Sequence, residues 1–381
     1  MSRTHDRIEY NTNVLDEAKQ RIKDCFNRFD KVVVSFSGGK DSTIALNLAL
    51  EVARELKKLP LEVIYIDEEA ITSQTVEYVE RVSSNADLDF KWYCIPIRHR
   101  NACSNNEPWW YPWEPAKKQL WCRNLPDNAI TLHRRFVPGQ TMPQFCDEMY
   151  QDYNGNVCFL TGIRAQESLR RRMAVLRKKA DNYISHRYGN IHIAHPIYDW
   201  TSEDVWSAIQ KFEWDYNKFY DALDKLPGYH NRFLKQRVSN AFGEEPLRGI
   251  AEYQLIDSDL WEKMQDRVRG ARTALRYSNV GLYTGKVLPP AYKTWEEYYK
   301  VIMTGYEEPY RSVVQKGINA SIKLHYKDTN DKIPDANNHY KTGCSWKFLC
   351  DCAIRGDFKK RKSATMKFKK GKKMEVVNEQ V

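Results

Sequence analysis

The apolar run Val32-Val33-Val34 passes directly into Ser35-Phe36-Ser37-Gly38-Gly39-Lys40-Asp41-Ser42, after which Ile44, Leu48, Ala49, Val52, Ala53 and Leu56 mark one face of a helix. A buried strand, a glycine turn and a helix in immediate succession predict the strand-to-helix unit of a parallel α/β sheet. At the end of such a strand, adjacent glycines let backbone N–H groups approach an anion, and the next helix presents its positive N-terminus. Lys40 adds a cation, and the Ser37 and Ser42 hydroxyls add donors, so the turn suits phosphate. Its spacing excludes two familiar phosphate loops. Gly38 and Gly39 directly precede the lysine, unlike a Walker A loop, and no third glycine follows at the dinucleotide-binding offset.

The same alternation continues on both sides. Val14, Leu15, Ala18, Ile22, Cys25, Phe26 and Phe29 recur at helical spacing ahead of the first strand. Leu61 to Ile66 predicts a second strand ending at Asp67, Ser73 to about Ser84 a helix, and Phe90 to Ile95 a third strand. The sheet resumes at Val157 to Leu160, followed by Thr161-Gly162-Ile163-Arg164 and a basic helix from about Ala165 to Lys179. Ile191 to Ala194 is a last strand, and Thr201 or Ser202 caps the helix carrying Val205, Trp206 and Ile209. Between Pro96 and Pro143 the pattern gives way to an aromatic, proline-rich connection with Trp109-Trp110-Tyr111-Pro112-Trp113. Its aromatics would stack bases, wall a nucleotide pocket or anchor the loop to the core. Beyond about residue 215 helical spacing takes over, as in Leu260, Met264, Val268, Ala271 and Leu275. The expected domains are 1–214, with an insertion at about 96–143, a helical C-terminal domain at 215–357, and a basic tail at 358–381 that the fold does not need.

At 381 residues the chain can hold two domains of about 150 residues. Its 42% hydrophobic and 29% charged residues exclude a disordered chain. The net charge is +10, and nine basic residues with no acidic one lie between Lys359 and Lys373. The body is thus nearly neutral, and the tail is an arm suited to nucleic-acid phosphates. No apolar run approaches a membrane span, and Met1 to Gln20 lacks a secretion signal, so a cytoplasmic protein with no membrane partner is expected. Nine cysteines, six scattered singly and three clustered at 344, 350 and 352, with no Cys-x-x-Cys pair, read as reduced thiols. Cys344, Cys350 and Cys352 with Cys122 are the set from which a zinc or iron–sulfur site would be drawn. Residues 345–355 read instead as one helix burying its thiols. Cys122, beside Arg123, is singled out for sulfur transfer because an adjacent cation lowers a thiol pKa. An Arg just past a strand end, with further Args one turn later, is how a polyphosphate would be gripped, which marks Arg164 and Arg171.

The run Ser35 to Ser42 resembles the Ser-x-Gly-Gly-Lys-Asp-Ser loop of the N-type ATP pyrophosphatases, the PP-loop superfamily. Gly162-Ile163-Arg164-Ala165-Gln166-Glu167-Ser168 with Arg170 and Arg171, and the run Pro196 to Trp206, resemble further blocks of phosphoadenosine phosphosulfate (PAPS) reductase-like proteins. Trp92 to Ile97, Arg100 to Ser104, Glu107-Pro108, Trp113-Glu114-Pro115, Arg267 to Arg272 and Thr294 to Tyr298 are similar to the IbrA/YbdN branch of that family. The resemblance implies an adenine nucleotide α-hydrolase-like (HUP, Rossmann-like) α/β fold with a parallel sheet and a helical C-terminal domain. It also implies ATP and Mg²⁺ as cofactors. The nucleotide would be held by Ser35, Ser37, Gly38, Gly39, Lys40, Asp41, Ser42, Asp67, Gly162, Arg164 and Glu167. Lys40, Asp41, Arg164 and Arg171 would carry the chemistry, with Asp41 and Asp67 on the metal. Members of the branch occur beside ParB-like partner proteins in prophages and defence islands.

One departure bears on the reaction. The Glu-Cys-Gly-Ile/Leu-His nucleophile motif of true reductases is missing, and Cys344 follows Thr342-Gly343 instead. The expected activity is therefore cleavage of ATP to AMP and pyrophosphate, adenylating an acceptor for sulfur transfer from a donor protein to nucleic acid. Two alternatives stay open: reduction of phosphoadenosine phosphosulfate, and a nucleotide-binding regulator acting with a ParB-like partner on DNA.

Overall fold

The computed structural model describes residues 12–167, 171–172, 183–226, 238, 240, 242–243, 250–277, 287–358, 363 and 366. Helix α1, Val14–Arg28, starts at Asn13, whose side chain accepts from the Asp16 amide, and buries Ala18, Ile22, Cys25 and Phe26. Strand β1, Lys31–Phe36, then leads into α2, Lys40–Glu55. Strand β2, Leu61–Ile66, helix α3, Ser73–Ser83, and strand β3, Leu88–Tyr93, follow. The remaining strands are β4 His99–Arg100, β5 Trp109–Trp110, β6 Ala129–Ile130, β7 Val157–Thr161, β8 Ile184–Tyr188 and β9 Ile191–Ala194.

Among the described residues, seven strands form one sheet in the order β6-β3-β2-β1-β7-β9-β8, in which each pairing but the hairpin β8-β9 is parallel. Successive β1 side chains enter opposite cores. Val32, Val34 and Phe36 pack with Ile44, Leu48 and Val52 of α2, whereas Val33 packs with Ile64, Phe145 and Phe159. Burial on both faces explains why β1 reads as an unbroken valine run. The chain leaves β1 toward β2 on one side and later returns to β7 on the other. The carboxyl ends of β1 and β7 therefore flank the crevice where open α/β sheets bind ligands.

Several sequence expectations shift. Within the aromatic connection the chain forms β4, β5, a 3-10 turn at Pro115–Leu120 and the sheet-edge strand β6, and the helix Met142–Glu148, with a Thr141/Gln144 capping box, starts at its end. Strand β3 ends at Tyr93, short of the expected Ile95, and β8 is an addition. The basic helix begins as a 3-10 turn, Ala165–Glu167, and most of its further length, including Arg170, lies outside the described residues. No helix among the described residues is long and apolar enough to cross a membrane.

Packing divides the chain into two units: Met1–His99, Tyr111–Asn240 and Glu252–Arg267 form the first, and Arg100–Trp110, Ala241–Ala251 and Val268–Val381 the second. The first unit runs past residue 214, where the strand pattern had suggested a boundary, because Asn217, Tyr220 and Arg267 make buried contacts with the sheet's loops. In the second unit, helices Trp295–Thr304, Tyr310–Asp328 and Trp346–Arg355 enclose a core of Trp295, Tyr299, Val314, Ile318, Cys344, Leu349 and Cys350. Met366 is buried in that core and Phe358 packs on it, so the tail is not wholly separate from the fold as expected. Most of Lys359 to Lys373 lies outside the described residues. Burial pushes the Cys344 and Cys350 thiols up to about 12 and Cys352 higher still. Among the described residues no group of three or more His, Cys, Asp or Glu is placed to hold a metal ion.

Candidate active site

The turn after β1 is fastened from within. Gly38 has φ +72°, a left-handed conformation that glycine adopts without a Cβ penalty. Gly39 then caps α2 in an extended conformation. Ser42 Oγ accepts from the Ser37 amide at 3.2 Å and donates to the Gly39 carbonyl at 2.9 Å, and Thr43 Oγ1 donates to the same carbonyl at 3.0 Å. Ser37 Oγ lies 3.0 Å from Ser42 Oγ. Ser35 is a β1 residue, in register with Ile64 and Thr161, and stands before the turn.

The loop after β7 presses onto the first turn of α2. A Cβ on Gly162 would lie 2.5 Å from the Asp41 carbonyl and the Ser42 nitrogen, so only glycine permits this approach. The approach delivers Arg164, whose Nε donates to Asp41 Oδ1 at 2.8 Å, while Lys40 Nζ donates to Asp41 Oδ2 at 3.1 Å. Arg164 is 1% exposed, and its other nitrogens reach Gln166 Oε1, the Trp200 carbonyl and Ser202 Oγ. Burial holds the Lys40 ammonium below its usual pKa range, Asp41 opposing the shift and Arg164 adding to it. Glu167 accepts from the Arg164 amide at 3.4 Å and pairs with Arg171 one turn on. The structure thus unites Lys40, Asp41 and Arg164 directly, with Arg171 one ion pair further away.

Asp67 departs from its expected role. It is fully buried, and both oxygens are doubly engaged: Oδ1 by the Glu69 amide and Trp113 Nε1, Oδ2 by Trp92 Nε1 and Arg123. A carboxylate so saturated anchors a loop and does not fit a metal ligand. Asp41, the other carboxylate expected on Mg²⁺, carries one cationic donor on each oxygen, Arg164 Nε on Oδ1 and Lys40 Nζ on Oδ2.

Glu69, also fully buried and at φ +59°, continues the anchor. Its oxygens accept from the Trp113 and Cys122 amides and receive the Arg267 guanidinium at 2.9 and 3.0 Å. Both ends of residues 113–122 are thereby pinned behind β2. This overturns the reading of Cys122 as an activated thiol. It is 2% exposed, burial and Glu69 push its pKa well above the thiol range, and Arg123 turns away to Asp67 and the Trp113 ring. Trp113 likewise serves as a buried anchor, not an open stacking surface.

Sequence reasoning missed Asn217 and Tyr220. Asn217 Nδ2 donates to the Gly38 carbonyl at 3.0 Å and to Thr75 Oγ1 at 2.9 Å, and the Tyr220 hydroxyl accepts from the Lys40 amide at 3.0 Å. They lie about 180 positions from the loop and belong to no motif, so nothing local marks them.

Comparisons with known proteins bear on this arrangement. The uncharacterized protein YbdN of Escherichia coli (strain K12) is 29% identical over 380 residues, covering 92% of this chain and 90% of that one. An uncharacterized protein of Methanocaldococcus jannaschii is 26% identical over 268 residues, 69% of this chain and 47% of its own length. Among solved structures, Candida glabrata FMN adenylyltransferase gives a TM-score of 0.37 at 14% identity, covering 57% of this chain and 63% of that one, so the match spans under two thirds of the transferase. The phosphoadenylyl-sulfate reductase of Candida auris gives 0.29 at 12% identity, covering 57% and 94%. Neither structural score bears on function. Residues 31–284 match the family model of the phosphoadenosine phosphosulfate reductase domain, from the first residue of β1 through the glycine turn, Arg164 and Arg267, and the chain belongs to that family.

Proposed function

We propose that the protein binds ATP at the turn Ser37 to Ser42, cleaves it between the α and β phosphates, and transfers the adenylyl group to an acceptor. The observation that carries this is the convergence of Lys40 and Arg164 on Asp41 at the N-terminus of α2, beside the sheet's switch point. The amides and positive end of α2 favour phosphate oxygens, and Lys40 adds its charge beside them. Arg164 is already oriented by four partners, so its charge is in place as negative charge develops at the α phosphate, with no reorganisation in the transition state. Mg²⁺ held between Asp41 and the nucleotide would offset the charge of the triphosphate. Arg171 acts at one remove, by fixing Glu167 under the Arg164 amide.

Nucleic acid as acceptor and a sulfur-donor protein belong to the same proposal, supported by the basic arm and the sequence resemblance, while a ParB-like partner acting on DNA belongs to the regulator alternative. Cys344 does not suit reductive attack on a sulfonucleotide, because it is fully buried and its thiol is pushed up to about 12. Pyrophosphate release from ATP, measured with and without DNA or RNA, tests the reading. Release that depends on Lys40 supports it. ATP binding without release under any of these conditions would favour a regulator, and sulfite release from phosphoadenosine phosphosulfate with reduced thioredoxin as electron donor would favour the reductase.

A further inference from the structure

The Lys40 amide is a first-turn N–H of α2, one of the donors that a helix N-terminus offers to a phosphate oxygen. In this structure it is directed at Tyr220, whose hydroxyl accepts it at 3.0 Å. The phenol is 4% exposed and lies over the turn. Its oxygen is 3.4 Å from where a Gly39 Cβ would stand, and its ring lies 5.8 Å from Lys40 Nζ. Trp206 holds the ring edge-on at 5.3 Å. Asn217, fully buried three residues earlier, fixes the approach by binding the Gly38 carbonyl.

One N–H serves one strong acceptor well. We propose that Tyr220 competes with a nucleotide phosphate for the Lys40 amide, so that phosphate binding displaces the phenol from the turn and from the edge of Trp206. The inference rests on the nucleotide reading above and adds a residue that sets phosphate affinity without taking part in the chemistry. The ligand class is a pyrophosphoryl group, since the contested donor belongs to the turn and not to an adenine or ribose pocket.

The test titrates the full-length parent and Tyr220→Phe with inorganic pyrophosphate and with ATP by calorimetry. Tryptophan emission is followed in the parent and in Trp206→Phe. Removing the hydroxyl leaves the ring in place but frees the amide, so Tyr220→Phe is expected to bind both probes roughly three- to tenfold more tightly, the range of one hydrogen bond. Pyrophosphate should also change parent emission in a way that Trp206→Phe loses. Unchanged or weaker binding by Tyr220→Phe, with the parent binding normally, overturns this proposal and leaves the nucleotide reading standing. So does parent emission that pyrophosphate does not alter, which needs no variant to fold. If neither probe binds the parent or the variant, both readings fall together.

Discussion

Lys40 and Arg164 meet on one carboxylate but are held differently, and their substitutions should separate. Lys40 has Asp41 as its ion-pair partner and faces the turn, so Lys40→Ala should weaken ATP binding by about 1–3 kcal/mol, the cost of a charge-assisted bond. Calorimetry on the folded variant checks this, and unchanged affinity removes Lys40 from the site. Arg164→Ala should bind ATP nearly as the parent does, yet lower pyrophosphate release by about 10²-fold. Arg164→Lys should not rescue it, because one ammonium cannot meet Asp41, Gln166, Trp200 and Ser202 together. Equal turnover by all three proteins counts against the assignment. At this scale the sequence was informative where the chemistry is local: Lys40 and Asp41 announce themselves by sitting behind two glycines. It misled at Asp67 and Cys122, since nothing near either residue shows that Trp92, Trp113 and Arg123 close on Asp67 or that Glu69 takes the Cys122 amide. Cys122→Ser should therefore keep parental pyrophosphate release, and a loss of activity would restore the thiol to the mechanism.

Between elements, the tightest fit is that of the β7 loop against α2. Gly162→Ala inserts a methyl group against backbone that cannot give way, and should destabilise the protein by about 1–3 kcal/mol. It should also impair pyrophosphate release through the displaced Arg164. Thermal denaturation and the release assay read the two effects, and a variant that matches the parent in both would deny the contact. The Glu69–Arg267 pair ties the insertion behind β2, and Arg267→Met leaves a fully buried carboxylate without its cation, at an expected cost of about 3–5 kcal/mol. A urea midpoint within experimental error of the parent's would show that the pair is dispensable. The strand-turn-helix unit was legible because valine runs, glycines and helical periodicity each act within a few residues. Strand β8 was not, because Ile184–Tyr188 is a largely exposed edge of mixed composition whose partner defines it as a strand.

Over the whole molecule, the basic arm and the fold overlap by a few residues. Met366 belongs to the core of the second unit, so a chain ending at Asp357 loses packing as well as charge. A chain ending at Met366 removes five lysines, from Lys367 to Lys373, and separates the two effects. It should melt like the parent while binding DNA or RNA more weakly, with the salt slope on duplex DNA reduced by about one unit per lost phosphate contact. An unchanged slope would move the search for the anchor elsewhere. The boundary expected at 214 missed how much of the first unit is completed by distant residues, because Asn217, Tyr220 and Arg267 sit in helical surroundings yet finish the loops of the sheet. The switch point has a temporal consequence. Its two walls are strands about 120 positions apart, β1 and β7, and Arg164 arrives only with the second. A ribosome that has released the glycine turn has made the loop proposed to hold phosphate but not yet the wall that faces it. If the turn binds ATP as proposed, ATP should protect from degradation only chains long enough to have folded Asn217 and Tyr220 onto the turn as well as β7, and not shorter ones.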